Sequence, residues 1–161
     1  MESYIIVRRF PYEEPYHTQL EIIVSNGLFR GRTDFYCGVD DLGAIGRALR
    51  HYSGRPEDEY SYRHGSENSE DRFYRYFAMR IYAVNALGRC AVQIALNNNE
   101  TEPDEAACRF SIQTHVGSIN RLGELFENFQ RLKHLEFKWT PNEALLFEFH
   151  QSDGGFLEAS Y

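Results

Sequence analysis

The alternation of apolar and polar side chains across residues 20–37 is the clearest structural signal in the chain. Asn26 and Gly27 interrupt the pattern, and both residue types accept the positive φ angles that a tight hairpin turn requires. The pattern therefore predicts a β-hairpin with a two-residue turn at Asn26 and Gly27, in which Ser25 lies opposite Leu28.

The two faces of this predicted hairpin differ in polarity. Its core face consists of alternate residues, namely Leu20, Ile22, Val24, Phe29, Gly31, Thr33, Phe35 and Cys37. The opposite face is mixed and faces solvent, and Glu21 lies across from Arg32 there as a charge pair.

Two amphipathic helices are predicted, one after each strand-rich half of the chain. The first covers residues 40–52, with Asp40 and Asp41 as capping residues, and the second covers residues 116–133, with Ser118 as its cap. Their apolar residues recur at the spacing of one helical stripe. Both helices contain an interior glycine, Gly46 or Gly123, which predicts a close approach of the helix backbone to the sheet.

The second half repeats the arrangement of the first. Strands are predicted on either side of a turn at residues 85–88. If Val84 lies opposite Arg89, the core faces of the two strands coincide and Arg80 lies opposite Gln93. The fold class is therefore α+β: a mostly antiparallel sheet from two hairpin-led halves, with two helices packed on one face. A single domain spans residues 1–161, with a strand near residues 4–9 that is either an edge strand or a tie across the sheet, and a flexible C-terminal tail from about residue 151.

Composition narrows the functional classes. The formal net charge of −7 argues against a nucleic-acid partner, because phosphate binding depends on Lys and Arg, although it leaves room for a local basic stripe. No apolar run is long enough to cross a bilayer, and the first residues are unlike a signal peptide, so we expect no membrane partner and a cytoplasmic location.

Chemistry-bearing motifs are absent from the sequence. No glycine-rich phosphate loop, metalloprotease motif, nucleophile elbow or paired-cysteine module occurs, so no catalytic residue, metal or cofactor is predicted. The three cysteines, Cys37, Cys90 and Cys108, fall on the core parity of predicted strands and are expected to be reduced. Acidic runs near residues 57–59 and 70–71 are expected to be solvated loops.

The outer parity of the strands is rich in tyrosine and arginine, which are enriched in binding hot spots. If both hairpins belong to one sheet, eight residues form a common binding surface: Arg30, Arg32, Tyr36, Tyr62, Tyr76, Arg80, Tyr82 and Gln93. The alternative explanation is β-propensity and cross-strand packing alone.

Apolar residues on the same outer parity predict self-association. If the strands form one sheet, this parity leaves an apolar and aromatic surface exposed, made up of Ile23, Leu28, Tyr36, Tyr76 and Tyr82. A symmetric homodimer is the favoured cover for this surface, and the C-terminal segment of the same chain is the alternative.

Part of the chain resembles a widespread group of uncharacterised bacterial proteins. The resemblance is carried by residues 25–36, SNGLFRGRTDFY, and by the following helix, which contains Asp41-Leu42 and Ala48-Leu49. This resemblance covers most of residues 20–129 and implies a fold and a bacterial origin. It also implies an immunity-type role, since small proteins of this kind are sometimes encoded beside toxin or secretion genes.

The predicted function is that of a non-enzymatic protein-interaction or immunity-like protein that masks a basic partner, because the chain is acidic and lacks catalytic motifs. The alternative is a small-molecule-binding protein or an enzyme. Its site would lie between the sheet and the loops at residues 53–72 and 97–105.

Overall fold

A computed structural model describes residues 2–151, which contain nine β-strands and two α-helices. In chain order these are β1 Ser3–Phe10, β2 His17–Asn26, β3 Arg30–Gly38, α1 Val39–Arg50, β4 Tyr60–His64, β5 Tyr76–Ala83, β6 Arg89–Asn97, β7 Ala107–His115, α2 Val116–Gln130, β8 Glu136–Trp139 and β9 Ala144–Phe147. Single turns of 3-10 helix lie at Pro11–Glu13 and Ser69–Asp71. The predicted tail lies outside the described residues, apart from Gln151.

All strand pairs are antiparallel, which confirms the predicted α+β class with hairpin-led halves. The strands form two sheets, however, where the sequence indicated one. Five strands pair in the order β3-β2-β1-β8-β9, and four pair in the order β4-β5-β6-β7. Strand β1 is central and not an edge strand, because the C-terminal strand β8 pairs with its free side.

The first hairpin turns one residue later than predicted. The backbone N–H of Asn26 donates to the carbonyl of Phe29 at 3.1 Å, so that Gly27 and Leu28 form the turn. The Asn26 side chain stabilises this loop, because its Oδ1 accepts from the N–H groups of Leu28 and Phe29 at 2.9 and 2.8 Å. Gly27 has a φ of 89°, which glycine adopts without steric cost.

This change shifts the register by two residues. Ser25 pairs with Arg30, and Glu21 lies opposite Asp34. The Glu21 carboxylate still reaches Arg32, but diagonally, at 2.7 Å. Because strand side chains alternate with a period of two, a two-residue shift leaves the strand residues on their predicted faces. Two expectations about exposure are nevertheless wrong: Phe29, predicted for the core, is 63% exposed at the end of the turn, and Glu21 and Ile23 on the predicted solvent face are each only 1% exposed.

The second hairpin has the predicted register. Arg80 lies opposite Gln93, and the N–H of Val84 donates to the carbonyl of Arg89 at 2.8 Å. The pairing of β5 with β6 is therefore confirmed residue by residue.

Both helices begin differently from the capping prediction. Helix α1 begins at Val39 with Gly38 as N-cap. Asp40 and Asp41 lie in its first turn, where their negative charges interact favourably with the positive end of the helix dipole. Helix α2 is capped by His115, whose Nδ1 accepts from the N–H of Ser118 at 3.3 Å. No helix in residues 2–151 is long and apolar enough to span a membrane.

The two interior glycines lie where the helices touch each other. A Cβ on Gly123 would lie 2.7 Å from the carbonyl oxygen of Gly46, and a Cβ on Gly46 would lie 2.8 Å from that of Gly123. Real Cβ contacts are longer, so both positions require glycine at this helix spacing. The predicted close approach is thus to the partner helix and not to the sheet.

One core lies between the sheets and includes the buried stripes of both helices. Phe35 of β3 stacks on Phe77 of β5 with ring centroids 5.4 Å apart, which joins the two sheets directly. Phe137 of β8 packs against Phe129 of α2 at 4.8 Å, and the Trp139 indole donates to the carbonyl of Ser118 at 2.9 Å. Each sheet therefore has one face toward this core and one outer face.

Candidate functional site

The outer face of the four-stranded sheet is the candidate site, and we call it the arginine face. Its members alternate with core residues along β4–β7: Ser61, Arg63, Tyr76, Ala78, Arg80, Tyr82, Ala91, Gln93, Ala95, Asn97, Ala107, Arg109, Ser111 and Gln113. The strand register arranges them in rows that cross the sheet.

One row has arginines at both ends and alanines between them. Arg63 pairs with Ala78, Ala78 with Ala95, and Ala95 with Arg109. Neighbouring strands are about 4.8 Å apart, so the backbones of the two arginines lie about 14 Å apart. The alanine side chains are short, and the row forms a shallow trough with a cationic side chain at each edge.

Arg63 and Arg109 are both exposed. Neither side chain has a hydrogen bond or ion pair to another residue within the described part of the chain. Their charges are therefore available to an external anion.

The next row is polar and contains a third arginine. Ser61 pairs with Arg80, and Arg80 pairs with Gln93. The Arg80 guanidinium donates to the Glu59 carboxylate at 2.7 and 3.0 Å, and it lies 4.2 Å from the ring centroid of Tyr82. The hydrogen bond that Arg80 donates to the Glu59 carboxylate raises the pKa of Arg80. Arg80 thus holds the Tyr82 ring in place while Glu59 compensates part of its charge.

The four strands β4–β7 contain no Asp or Glu, in a chain that has 24 acidic residues. They do contain Arg63, Arg80, Arg89 and Arg109. The carboxylates closest in sequence lie in the connecting loops. The arginine face therefore has the opposite charge to the protein as a whole, which carries a net charge of −7.

A cavity of about 420 Å³ lies on this face. Arg63, Tyr76 and Arg109 are among the side chains that line it, with alanines on its floor. Glu67 lies at its rim, where one carboxylate oxygen accepts from the Asn97 amide at 3.0 Å. The face is concave, and it combines cationic, aromatic and amide side chains.

The structure brings together four of the eight predicted binding residues: Tyr76, Arg80, Tyr82 and Gln93. It places Arg30, Arg32 and Tyr36 on β3 of the other sheet. The predicted common surface assumed one sheet, and it does not exist in this form.

Tyr62 belongs to neither outer face. Its side chain has the core parity of β4, and its ring lies 6.3 Å from that of Phe77. The Tyr62 hydroxyl donates to an Asp41 carboxylate oxygen at 3.3 Å. Burial, with smaller contributions from nearby acidic groups, raises the pKa of Tyr62. This tyrosine packs against the core and ties β4 to helix α1.

The structure also removes the surface that motivated a homodimer. Tyr76 and Tyr82 lie on the four-stranded sheet, whereas Ile23 and Tyr36 lie on the five-stranded one. Ile23 is already buried in the single chain, with 1% of its surface exposed. No continuous apolar patch unites these residues.

Sequence reasoning missed Arg63, Arg109 and the alanines between them. A signal for them is present, since residues 76–99 and 106–118 contain no acidic residue while the intervening loops do. Between residues 76 and 118 the acidic residues are thus confined to the connecting loop, which indicates that the strands in these two segments form a sheet without carboxylates.

The histidines and cysteines form no reactive cluster. Within residues 2–151 no group of three or more His, Cys, Asp or Glu side chains could hold a metal ion. The His64 ring stacks on Phe35 at 4.4 Å. Cys37 and Cys90 are buried and Cys108 is half-buried, and all three are free thiols. Burial raises the pKa of Cys37 to about 12.

No protein-family model matches the chain, and no curated protein matches it by sequence. Solved structures that resemble it include two plant proteins. One is described as the plant transcriptional regulator PBF-2, with a TM-score of 0.48 and 10% identity over 81% of this chain and 76% of that chain. The other is WHY3 from Arabidopsis thaliana, with a TM-score of 0.47 and 10% identity over 81% and 82% of the two chains.

This comparison contradicts two expectations from the sequence. A structural neighbour that is a transcriptional regulator conflicts with an immunity-like interaction protein and with the exclusion of nucleic acid. We withdraw both predictions.

Proposed function

We propose that the arginine face binds single-stranded nucleic acid. The observation that carries this proposal is the row in which Arg63 and Arg109, exposed and unpaired among the described residues, flank Ala78 and Ala95 on an acid-free sheet. Proteins that bind single strands combine a cationic groove for the phosphates with aromatic side chains on which bases stack.

Each component of such a site has a candidate on this face. Arg63 and Arg109 supply charge at the two edges of the trough, where phosphates of a strand would pass. Tyr76 lines the cavity, so it is the ring placed for stacking. Tyr82 lies on the same face of β5, but the Arg80 guanidinium already lies 4.2 Å from its ring centroid. The alanine floor leaves room for the sugar and base between the longer side chains.

The chemistry favours a single strand over a duplex. A duplex hides the flat faces of its bases, so tyrosine rings on a sheet surface gain nothing from it. Base faces in a single strand are accessible to those rings. The net charge of −7 repels a polyanion from the rest of the surface and so favours this one face.

The bacterial origin and the cytoplasmic location expected from the sequence stay predictions. The proposal depends on neither, because it rests on side chains of β4–β7 alone.

The test is fluorescence anisotropy with a labelled oligothymidylate of about 12 nucleotides, a length within the site sizes of small single-strand-binding domains. We expect the double variant Arg63→Ala with Arg109→Ala to weaken binding by at least about tenfold at low salt. For this variant, the slope of log affinity against log salt concentration should be smaller in magnitude by about 1.4, because each lost phosphate contact contributes about 0.7 to this slope for a single strand.

The matched control is Arg47→Ala with Arg131→Ala, which removes the same charge from exposed positions on α1 and just after α2. Equal loss of affinity in both double variants would show a general charge effect and would contradict the proposal. Absence of binding by the wild-type protein at low salt would also contradict it.

A further inference from the structure

A second cavity, of about 280 Å³, lies where the two sheets meet at their edges. It opens between residues 30–33 of β3 on one side and residues 96–98 and 106–108 on the other. We call it the edge cleft. Nothing in the proposed role of the arginine face requires it.

Gly31 allows the two sheets to come close enough to form the floor of the cleft. A Cβ at this position would lie 2.6 Å from Leu96 Cδ1 and 2.8 Å from Cys108 Sγ, which is closer than real Cβ contacts. Leu96 and Cys108 thus give the cleft an apolar inner surface against which a flat ring can pack.

Thr33 lines the same cleft and has an unsatisfied hydroxyl. Its residue surface is 3% exposed, and its Oγ1 makes no hydrogen bond to any residue in 2–151. Buried side-chain polar atoms nearly always have a partner. Thr33 lines the cleft, but its Oγ1 has less than 1 Å² of accessible surface, so a ligand in the cleft reaches the hydroxyl only after a change of the Thr33 χ1 rotamer. An unpaired hydroxyl one rotamer change away from a cavity favours a ligand with a hydrogen-bonding edge.

The outer wall of the cleft is preformed. The N–H of Asn98 donates to the carbonyl of Ala106 at 3.0 Å, and the N–H of Ala106 donates to Asn98 Oδ1 at 3.0 Å. These bonds close the loop between β6 and β7 at its base. A ligand would therefore enter a cleft whose shape the protein already holds.

The edge cleft is continuous with the cavity of the arginine face. Leu96, Ala107 and Cys108 line both cavities. Ala107, the first residue of β7, is exposed and has a short side chain, so an extended polymer such as a nucleic-acid strand can cross the edge of the sheet there. Arg30 is exposed at the far rim of the cleft, where it favours an anionic group.

We propose that the edge cleft takes one nucleobase of the strand that lies on the arginine face. This inference rests on the proposed function and adds a second binding element to it. The strand crosses β7 at Ala107, and the base beyond this point enters the cleft against Leu96 and Cys108. After a change of its χ1 rotamer the Thr33 hydroxyl hydrogen-bonds to the edge of the base, and the exposed Arg30 at the rim contacts the adjacent phosphate.

The first test uses thiol protection, measured by mass spectrometry of the alkylated peptides. Native Cys108 is the half-buried thiol of the cleft, Ser61→Cys adds a thiol on the arginine face, and the other native thiols, Cys37 and Cys90, are buried. We expect a saturating oligothymidylate of about 12 nucleotides to slow alkylation of both thiols by at least about fivefold.

Protection of both thiols supports the inference. Protection of the thiol from Ser61→Cys alone would overturn the cleft while leaving the proposed function intact. Protection of neither thiol would refute the proposed function and the cleft together.

The second test addresses the hydroxyl. Thr33→Val keeps the shape of the side chain and removes the hydrogen-bonding group, so we expect about fivefold weaker oligonucleotide binding, the effect of one hydrogen bond. Thr33→Ser should restore most of the affinity. Unchanged affinity in Thr33→Val would overturn the role of the hydroxyl, and equal thermal unfolding midpoints confirm that the variants are folded.

Discussion

The outer faces of the two sheets both carry arginine, but they use it in opposite ways. On the five-stranded sheet, Arg8 is completely buried, and its guanidinium donates to Glu136 at 2.6 Å and to Glu21 at 3.2 Å. On the four-stranded sheet, Arg63 is exposed and has no ion-pair partner within the described residues. One arginine stabilises the fold, and the other is available for binding.

The carboxylates explain this difference. Burial by itself lowers the pKa of Arg8, but the hydrogen bonds and charges of Glu136 and Glu21 outweigh it and raise that pKa overall. Glu21 also pairs with Arg32 at 2.7 Å, so it serves two arginines. No acidic residue occurs in β4–β7 to play this part. The presence of arginine on an outer strand face therefore indicates a binding surface only where neighbouring carboxylates are missing.

The largest expected effect is on stability, and it distinguishes the buried arginine of the five-stranded sheet from the exposed arginine of the four-stranded sheet. Arg8→Gln leaves Glu21 and Glu136 buried without their central cation, so we expect the free energy of unfolding to fall by about 3–5 kcal/mol. Arg63→Gln is the matched control and should change it by less than about 0.5 kcal/mol. Urea denaturation followed by circular dichroism measures both. Similar values for the two variants would mean that the buried pairs do not stabilise the five-stranded sheet.

A smaller effect is expected on oligonucleotide affinity, and it distinguishes a tyrosine on the arginine face from one on the five-stranded sheet. Tyr76 lines the cavity of the arginine face, whereas Tyr36 lies on the other sheet with 49% of its surface exposed. Because a base stacked on an aromatic ring contributes about 1–3 kcal/mol, Tyr76→Ala should weaken oligonucleotide binding by about fivefold or more. Tyr36→Ala should leave the affinity unchanged in the same anisotropy titration. Loss of affinity in Tyr36→Ala would move the interface to the five-stranded sheet.

The smallest effect concerns the contact that joins the two sheets. His64 of β4 stacks on Phe35 of β3 with centroids 4.4 Å apart, and its burial lowers its pKa, against a weaker opposing influence of the Asp41 charge. The unfolded chain then binds the proton more readily than the folded protein. Stability from this group is therefore present above the ordinary histidine pKa of about 6.5 and is lost as the pH falls below it.

The measurement is the urea midpoint at about pH 7.5 and about pH 5.5, on either side of the ordinary histidine pKa. We expect the wild-type protein to lose more stability between these values than His64→Gln does. His17→Gln, at an exposed position on β2, is the control and should behave like the wild type. A wild-type protein that loses no more stability than His64→Gln would contradict the prediction.

The local part of the arginine face was predictable from the sequence. Arg80 and Gln93 were placed opposite each other because the turn between β5 and β6 and the alternation along each strand are properties of neighbouring residues. The first hairpin was less predictable, since the Asn26 side chain moved its turn by one residue. Parity survived this error because the register changed by an even number of residues.

The sequence by itself determined which side chains share a strand face, because that depends only on the period of two along each strand. It also determined that residues 76–99 carry no acidic group. Only the tertiary structure decided that the strands divide into two sheets and that β8 pairs with β1. It alone brought Arg63 and Arg109 to opposite edges of one trough. These pairings join residues that are distant in sequence, and they depend on which surfaces can be buried together, which no local pattern records.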